Sequence, residues 1–427
     1  MKIKVVLLLL QLISFSEGWS LRSIRRARIK KVRAIARKSL MVGAAGGFLV
    51  GAATATGAAV VINEQINNRP APFEPAPNSM EDKVVLITGG TSGLGLESAK
   101  RLGAAGATIV LTTRSTEKGI DAVEAVRDYI KSKGIVDTKV FSLDLDLDDL
   151  STVKAFPDRY NLLSESLGLK GIDVLLNNAG VMAVPQKEIT VDGYERQFQS
   201  NHLGHFVLTA GLFPYLSRDG ATVINVSSEA YKIARNGLDI DNLNGEKSYS
   251  AWPVYGQSKL ANILFTRELA LRATESGDSA WLTAVTLHPG AVSTDLGRYV
   301  IGEQRWKDFK ANAPEPLESL VTNALSVVTK TVQQGASTQV FLAAGAEGNI
   351  QPGAYYNDCK VESLESFATS MFDAEKLWEK SEEMSGITFD LVAGEDDTPD
   401  ETSNEAAEAD TETQDDSEDD SGDESQV

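Results

Sequence analysis

From Val84 to Leu287 the chain repeats one pattern, a short run of β-branched and aliphatic residues followed by a helical stretch. The runs are Val84 to Thr88, Thr108 to Thr112, Val140 to Leu143, Val174 to Leu176, Val223 to Val226 and Thr283 to Leu287. Helical stretches cover Glu97 to Ala105, Lys118 to Lys131 and a segment reaching about Leu163. Apolar and polar residues do not alternate within the runs, so each strand must bury both faces, which calls for a parallel sheet covered by helices on either side. The pattern predicts an α/β, doubly wound Rossmann fold with a mostly parallel central sheet, in a folded domain spanning residues 81–391.

The flanks have different chemistry. Residues 1–18 carry Lys2 and Lys4, an apolar run from Val5 to Phe15 and the small residues Ser16 and Gly18, the form of a secretory signal peptide. Residues 19–40 are rich in Arg, Lys and Ser without an acid, which suits a transit peptide and equally a juxtamembrane basic helix on an anionic lipid surface. Residues 41–62 are uncharged and span about 33 Å as a helix, long enough to cross a membrane but rich in Gly and Ala, so a transmembrane helix competes with a cleaved leader or flexible arm. Residues 63–80, with four prolines from Pro70 to Pro77, read as an extended linker. Residues 392–427 lack the large apolar side chains that folding requires and read as a disordered acidic tail.

Composition narrows the function. The net charge of −19 argues against nucleic-acid binding, which needs a basic face. One cysteine, Cys359, and three scattered histidines exclude an intramolecular disulfide and disfavour a metal site; Cys359, His202, His205 and His288 read as packing residues.

The chemistry-bearing motifs lie at the ends of the apolar runs. The first strand passes into Thr88-Gly89-Gly90-Thr91-Ser92-Gly93-Leu94-Gly95, with a helix expected from near Leu96. Glycines there let the backbone approach a pyrophosphate, which free amides and the positive helix end can hold. Arg114 ends the second strand where an acid would hold a ribose 2′-hydroxyl, so its guanidinium suits a 2′-phosphate and points to NADP(H). Tyr255 and Lys259 stand four residues apart on one helical face. A phenol with pKa near 10 needs a shift of about 3 units, roughly 4 kcal/mol, to work near neutrality, and the Lys259 ammonium, helped by an oxidised nicotinamide ring, can supply it. Ser227 and Ser228 end another apolar strand, where a hydroxyl can hold a carbonyl oxygen as Tyr255 gives or takes a proton.

Together these residues resemble the classical short-chain dehydrogenase/reductase family. Thr88 to Gly95 matches its TGxxxGxG loop, Asn177 to Gly180 its NNAG, Asn201 to Gly204 its NxxG, Tyr255 to Lys259 its YxxxK and Pro289-Gly290 its PG turn. The resemblance implies that Thr88, Gly89, Thr91, Ser92, Gly93, Leu94, Gly95, Arg114, Asp146, Leu147, Asn178, Ala179, Gly180, Tyr255, Lys259, Pro289, Gly290, Val292 and Thr294 bind the cofactor. It implies a relay of Asn201, Ser228, Tyr255 and Lys259, with Asn201 holding a water that links Lys259 to solvent. Asn225 to Ala230, the stretch from Gly237 to Pro253, Tyr255 to Leu264 and Leu287 to Gly290 are similar to the retinol-dehydrogenase-like branch, including short-chain dehydrogenases associated with the plastid translocon. Gly90 departs from the Ala or Ser common in that branch, and Ser92 at the second-glycine position argues against the epimerase class.

The expected function is therefore NADP(H)-dependent interconversion of a small-molecule carbonyl and its alcohol. Apolar residues between Thr294 and Leu317 suggest a lipophilic substrate of retinoid, steroid or long-chain aldehyde type. The leader suggests association with an organelle membrane, in a complex plastid or the endoplasmic reticulum, and the family resemblance allows a homodimer. The alternative is an NADP(H)-responsive binding subunit with the acidic tail as a docking segment.

Overall fold

The computed structural model describes residues 71–292, 329–345 and 350–391. The signal-like segment, the basic segment, the candidate membrane helix, Thr294 with the apolar stretch that follows it, and the acidic tail all lie outside the described residues. Among the described residues no helix is long and apolar enough to cross a membrane.

The strands are β1 (Val84–Ile87), β2 (Thr108–Thr113), β3 (Val140–Asp144), β4 (Val174–Asn177), β5 (Ala221–Val226), β6 (Leu282–His288), β7 (Tyr355–Asn357) and β8 (Lys360–Val361). They form one sheet in the order β3-β2-β1-β4-β5-β6-β7-β8, parallel throughout except for the β7–β8 hairpin. The longer helices are α1 (Gly93–Ala104), α2 (Thr116–Ser132), α3 (Phe156–Leu167), α4 (Gly204–Leu212), α5 (Ala251–Ser276), α6 (Val332–Ala343) and α7 (Met371–Ser385). This is the Rossmann-like arrangement expected from the apolar runs. Successive residues of a strand feed opposite cores: Leu86, Leu175, Val223 and Ala284 pack on one face, and Val85, Ile87, Leu176, Ile224 and Val285 on the other. Strand order reverses between β1 and β4, which opens a crevice at the carboxyl ends of the strands.

Two boundaries differ from expectation. Helix α1 begins at Gly93 rather than near Leu96, because Ser92 is extended (φ −158°) and the chain turns directly into the helix. The serine side chain makes no capping bond, so the first-turn amides keep their hydrogen-bonding capacity. The proline-rich linker is also not a free tether up to residue 80. Phe73 packs edge-to-face on Phe341 of α6 at 5.3 Å, and its amide donates to Ser337 Oγ. Glu74 accepts two bonds from Arg101, whose side chain is 0% exposed and which also donates to the Gln333 carbonyl. The folded unit thus begins by Phe73, before the expected boundary at residue 81.

This strap makes a stability prediction. Glu74 is 59% exposed and Glu97 also lies 3.5 Å from Arg101, so the loss on removing Glu74 falls below that of a fully buried pair. Glu74→Ala is expected to cost about 1–3 kcal/mol in urea unfolding, with Glu74→Gln recovering part of it. An unchanged midpoint in Glu74→Ala would mean that the strap does not support Arg101.

Candidate active site

The loop after β1 and the start of α1 form one wall of a cleft of about 350 Å³ at the strand-order reversal. Gly89 (φ +64°) and Gly93 (φ +55°) adopt left-handed backbone that glycine accommodates readily. A Cβ on Gly95 would stand 2.5 Å from the Gly89 carbonyl and 2.7 Å from Asn178 Nδ2, so only glycine lets the helix seat this closely. Gly89, Thr91, Ser92, Gly93 and Leu94 line the cleft with Asn178, Ala179 and Gly180 from beyond β4. Thr88 is buried under the loop, where its hydroxyl accepts from the amides of Asn178 and Ala179. Asn178 in turn donates to the Thr88 carbonyl. Thr88 and Gly95 are absent from the cleft lining and act in the packing beneath it.

At the far end the cleft is lined by Arg114, Asp146, Leu147 and Asp148. Asp146 accepts from the Asp148 amide. Leu147 packs where a Cβ on Gly204 would come within 3.1 Å of it, which gives the glycine of the NxxG sequence a steric role. Arg114, 56% exposed in its side chain, donates to Asp148 at 3.2 Å, and Asp148 also accepts from Arg196 Nε at 2.9 Å and from Ser200. The first-turn amides of α1 and this guanidinium give the cleft the donors that a phosphorylated dinucleotide needs, so the residues present fit such a group.

The other end is organised by the docking of α5 on β5. Lys259 is buried and its Nζ donates to the Val226 carbonyl at 2.9 Å, while Ser227 Oγ donates to the Lys259 carbonyl at 2.7 Å. These bonds fix the helix carrying Tyr255 against the strand end carrying Ser228. The Lys259 ammonium lies 5.8 Å from the Tyr255 ring centroid. Burial pulls Lys259 down to about 8, which leaves it cationic at neutral pH. Ser228 is partly exposed and caps the turn Glu229–Ile233 by accepting from the Ala230 amide, whereas buried Ser227 is committed to α5.

Asn201 stands in a π-helical turn, Gln199–Leu203, ahead of α4. Its side chain accepts from the Val181 amide at 2.8 Å and donates to the Val181 carbonyl and Ser258 Oγ, each at 2.9 Å. The amide therefore joins the cleft wall to α5. A Cβ on Gly180 would lie 2.8 Å from Asn201 Oδ1 and 3.4 Å from Lys259 Nζ, so this glycine lets the cofactor wall meet both residues. Pro289, Gly290 and Val292 follow β6 outside the cleft lining. Gly290 (φ +88°) is overlain by Lys330, and Val292 bridges Lys330 while contacting Gly335 of α6.

Sequence reasoning missed four supporting residues. Gln339 of α6 donates to the Leu94 carbonyl, Ser98 Oγ and Asn178 Oδ1, bracing the loop from behind. Asp148 and Arg196 brace Arg114. His205, taken as packing, lies 2.9 Å from Thr88 Oγ1 and 3.1 Å from the Asn201 carbonyl. The Asn201 carbonyl can only accept, so in the neutral ring His205 Nδ1 donates to it and the bare Nε2 accepts from the Thr88 hydroxyl. Burial holds this imidazole down to about 4, so it is neutral. A helical match of hydrophobic residues carries no signal for such bonds; only the juxtaposition of β1 with α4 creates them.

Residues 83–304 match the family model for short chain dehydrogenase. The chain is 36% identical over 309 residues to mouse (Mus musculus) retinol dehydrogenase 12, covering 72% of this chain and 88% of that protein. It is 38% identical over 317 residues to mouse retinol dehydrogenase 14, covering 73% and 88%. Similarity extends to the chloroplastic short-chain dehydrogenase TIC 32 A of Brassica napus, with 32% identity over 304 residues covering 69% and 86%. An uncharacterized Mycobacterium paratuberculosis protein of known structure aligns with a TM-score of 0.55 and 32% identity, over 75% of this chain and all of that one. With its Rossmann-like sheet and this similarity, the chain belongs to the short-chain dehydrogenase family, in the retinol-dehydrogenase-like branch of carbonyl/alcohol oxidoreductases.

Proposed function

We propose that the protein uses NADP(H) to interconvert a lipophilic carbonyl compound and its alcohol, with Tyr255 as general acid and base. The observation that carries this reading is the pair of bonds from Lys259 and Ser227 that locks α5 onto the end of β5. They hold a phenol, an ammonium and the Ser228 hydroxyl at the open edge of the sheet, beside the dinucleotide cleft.

When bound, the nicotinamide supplies or accepts the hydride. In reduction Tyr255 donates its proton to the carbonyl oxygen, and Ser228 holds that oxygen with a hydrogen bond. Lys259 favours the phenolate left on Tyr255, because its charge is kept near the ring in a buried site. In oxidation the same phenolate takes the proton from the alcohol. Lipophilic substrates are supported by the similarity to retinol dehydrogenases and by Trp252, an exposed indole whose ring centroid lies 6.1 Å from that of Tyr255.

The test is NADPH oxidation by the full chain with short, long-chain, retinoid and steroid carbonyls. Turnover of the apolar members well above small polar ones supports the reading; tight NADPH binding without turnover favours the binding-subunit alternative. For cofactor choice, Arg114→Asp is expected to lower the NADPH-to-NADH ratio of kcat/KM by at least about tenfold, through loss of a guanidinium and gain of a repelling carboxylate. An unchanged ratio removes Arg114 from cofactor selection.

A further inference from the structure

His288 is the last residue of β6, and its imidazole is almost fully buried where β5 and β6 separate. The two strands remain paired through Val226 and Leu287, and the Ser227 amide donates to the Leu287 carbonyl at 2.7 Å. Beyond that bond the chains diverge, one toward Ser228 and the other toward Pro289-Gly290. His288 Nδ1 lies in the gap and accepts from two amides, Glu229 N at 3.3 Å and Gly290 N at 3.3 Å. Glu229 directly follows Ser228, and the next amide, Ala230 N, is taken by Ser228 Oγ itself. A ring nitrogen that accepts carries no proton, so the proton of this neutral imidazole is on Nε2.

We propose that His288 is a positioning residue for the reaction, its Nδ1 clamping the backbone behind Ser228 to the Pro289-Gly290 turn so that the serine hydroxyl keeps its place at the substrate oxygen. The proposal rests on the assignment of Ser228 and Tyr255 as the groups that handle that oxygen. No other side-chain acceptor bridges these two amides among the described residues. Displacements of about 1 Å near reacting atoms can cost up to a hundredfold in rate, so loss of the clamp acts on turnover more than on cofactor binding.

The test compares His288→Asn, whose carbonyl oxygen can stand near the Nδ1 position and accept, with His288→Leu, which fills the space without an acceptor. Both are made in the full chain and assayed with NADPH and the best carbonyl of the panel. His288→Leu is expected to lower kcat about ten- to a hundredfold with the NADPH Kd within about twofold of wild type, and His288→Asn to recover most of the loss. Nitrogen-15 NMR of histidine-labelled wild type, with His288→Asn identifying the signal, is expected to give the Nε2–H tautomer at neutral pH. Full kcat in His288→Leu, no recovery in a folded His288→Asn, or an Nδ1–H tautomer would each overturn the clamp. If His288→Leu does not fold, the tautomer and His288→Asn, which must keep near-wild-type kcat, decide. Wild type without turnover on any carbonyl would instead overturn the proposed function, and the tautomer would still report on the clamp itself.

Discussion

Tyr255→Phe is expected to lower kcat for carbonyl reduction by about 10²–10⁴ while leaving the NADPH Kd within about twofold. The substitution removes one oxygen and keeps the ring, so packing against Trp252 on the preceding helical turn is preserved. The remaining side chain cannot protonate an alkoxide, although Ser228 can still hydrogen-bond to it. The substitution leaves in place the residues that line the cleft, Gly89, Thr91 to Leu94, Arg114 and Asn178 to Gly180 among them, which is why binding and turnover should separate. Single-turnover oxidation of NADPH together with a fluorescence titration checks both halves. Turnover near wild type would transfer the proton to another donor and end the mechanism; parallel loss of NADPH binding would indicate a structural defect.

The second large effect is a loss of stability on mild acidification. The chain has three histidines, and all are buried and held neutral. Burial, with His205 nearby, pushes His202 down to about 3; burial likewise pushes His205 and His288 down to about 4. An unfolded histidine titrates near 6.5, so above that pH both states are neutral and no stability is lost. As pH falls from 6.5 toward 4 the unfolded chain takes up protons that the folded chain refuses, and stability falls. Each histidine contributes about 1.4 kcal/mol per pH unit in that window, roughly 4 kcal/mol per unit for the three together. Glu195 and Glu268, whose carboxyl pKa values are raised by burial, offset part of this, since they bind protons more readily in the folded state. Urea unfolding should give a drop of several kcal/mol between about pH 7 and pH 5. Equal stability at pH 7.5 and 5 would show that the imidazoles are not held neutral.

Much of the site was legible in the sequence because its residues follow strands in a fixed order. A parallel sheet brings the carboxyl ends of its strands to one edge, so the glycine loop after β1, Arg114 after β2, Asp146 and Leu147 after β3, Asn178 to Gly180 after β4 and Ser228 after β5 converge there. The spacing of Tyr255 and Lys259 survives as one helical face of α5.

The strap was not legible. Prolines in Ala71 to Asn78 indicate extended backbone but say nothing of what it touches, and Glu74 meets Arg101 only because α1 and α6 pack side by side. The helix boundary at Gly93 was hidden for a related reason. Glycine disfavours a helix interior, yet the tight seat of Gly95 against Gly89 and Asn178 repays starting there.

The sequence by itself therefore determined the sheet, the order of its loops and the chemical types at the site, since these follow from burial periodicity and local backbone requirements. Tertiary structure alone decided how those groups are held: Ser227 on Lys259, Asn201 on Val181 and Ser258, His205 between Thr88 and Asn201, and His288 between Glu229 and Gly290. Each of these is a bond between segments far apart in the chain or at diverging strand ends. Its partner is set by how the layers pack, because a buried polar group must find whichever complement the fold brings within about 3 Å.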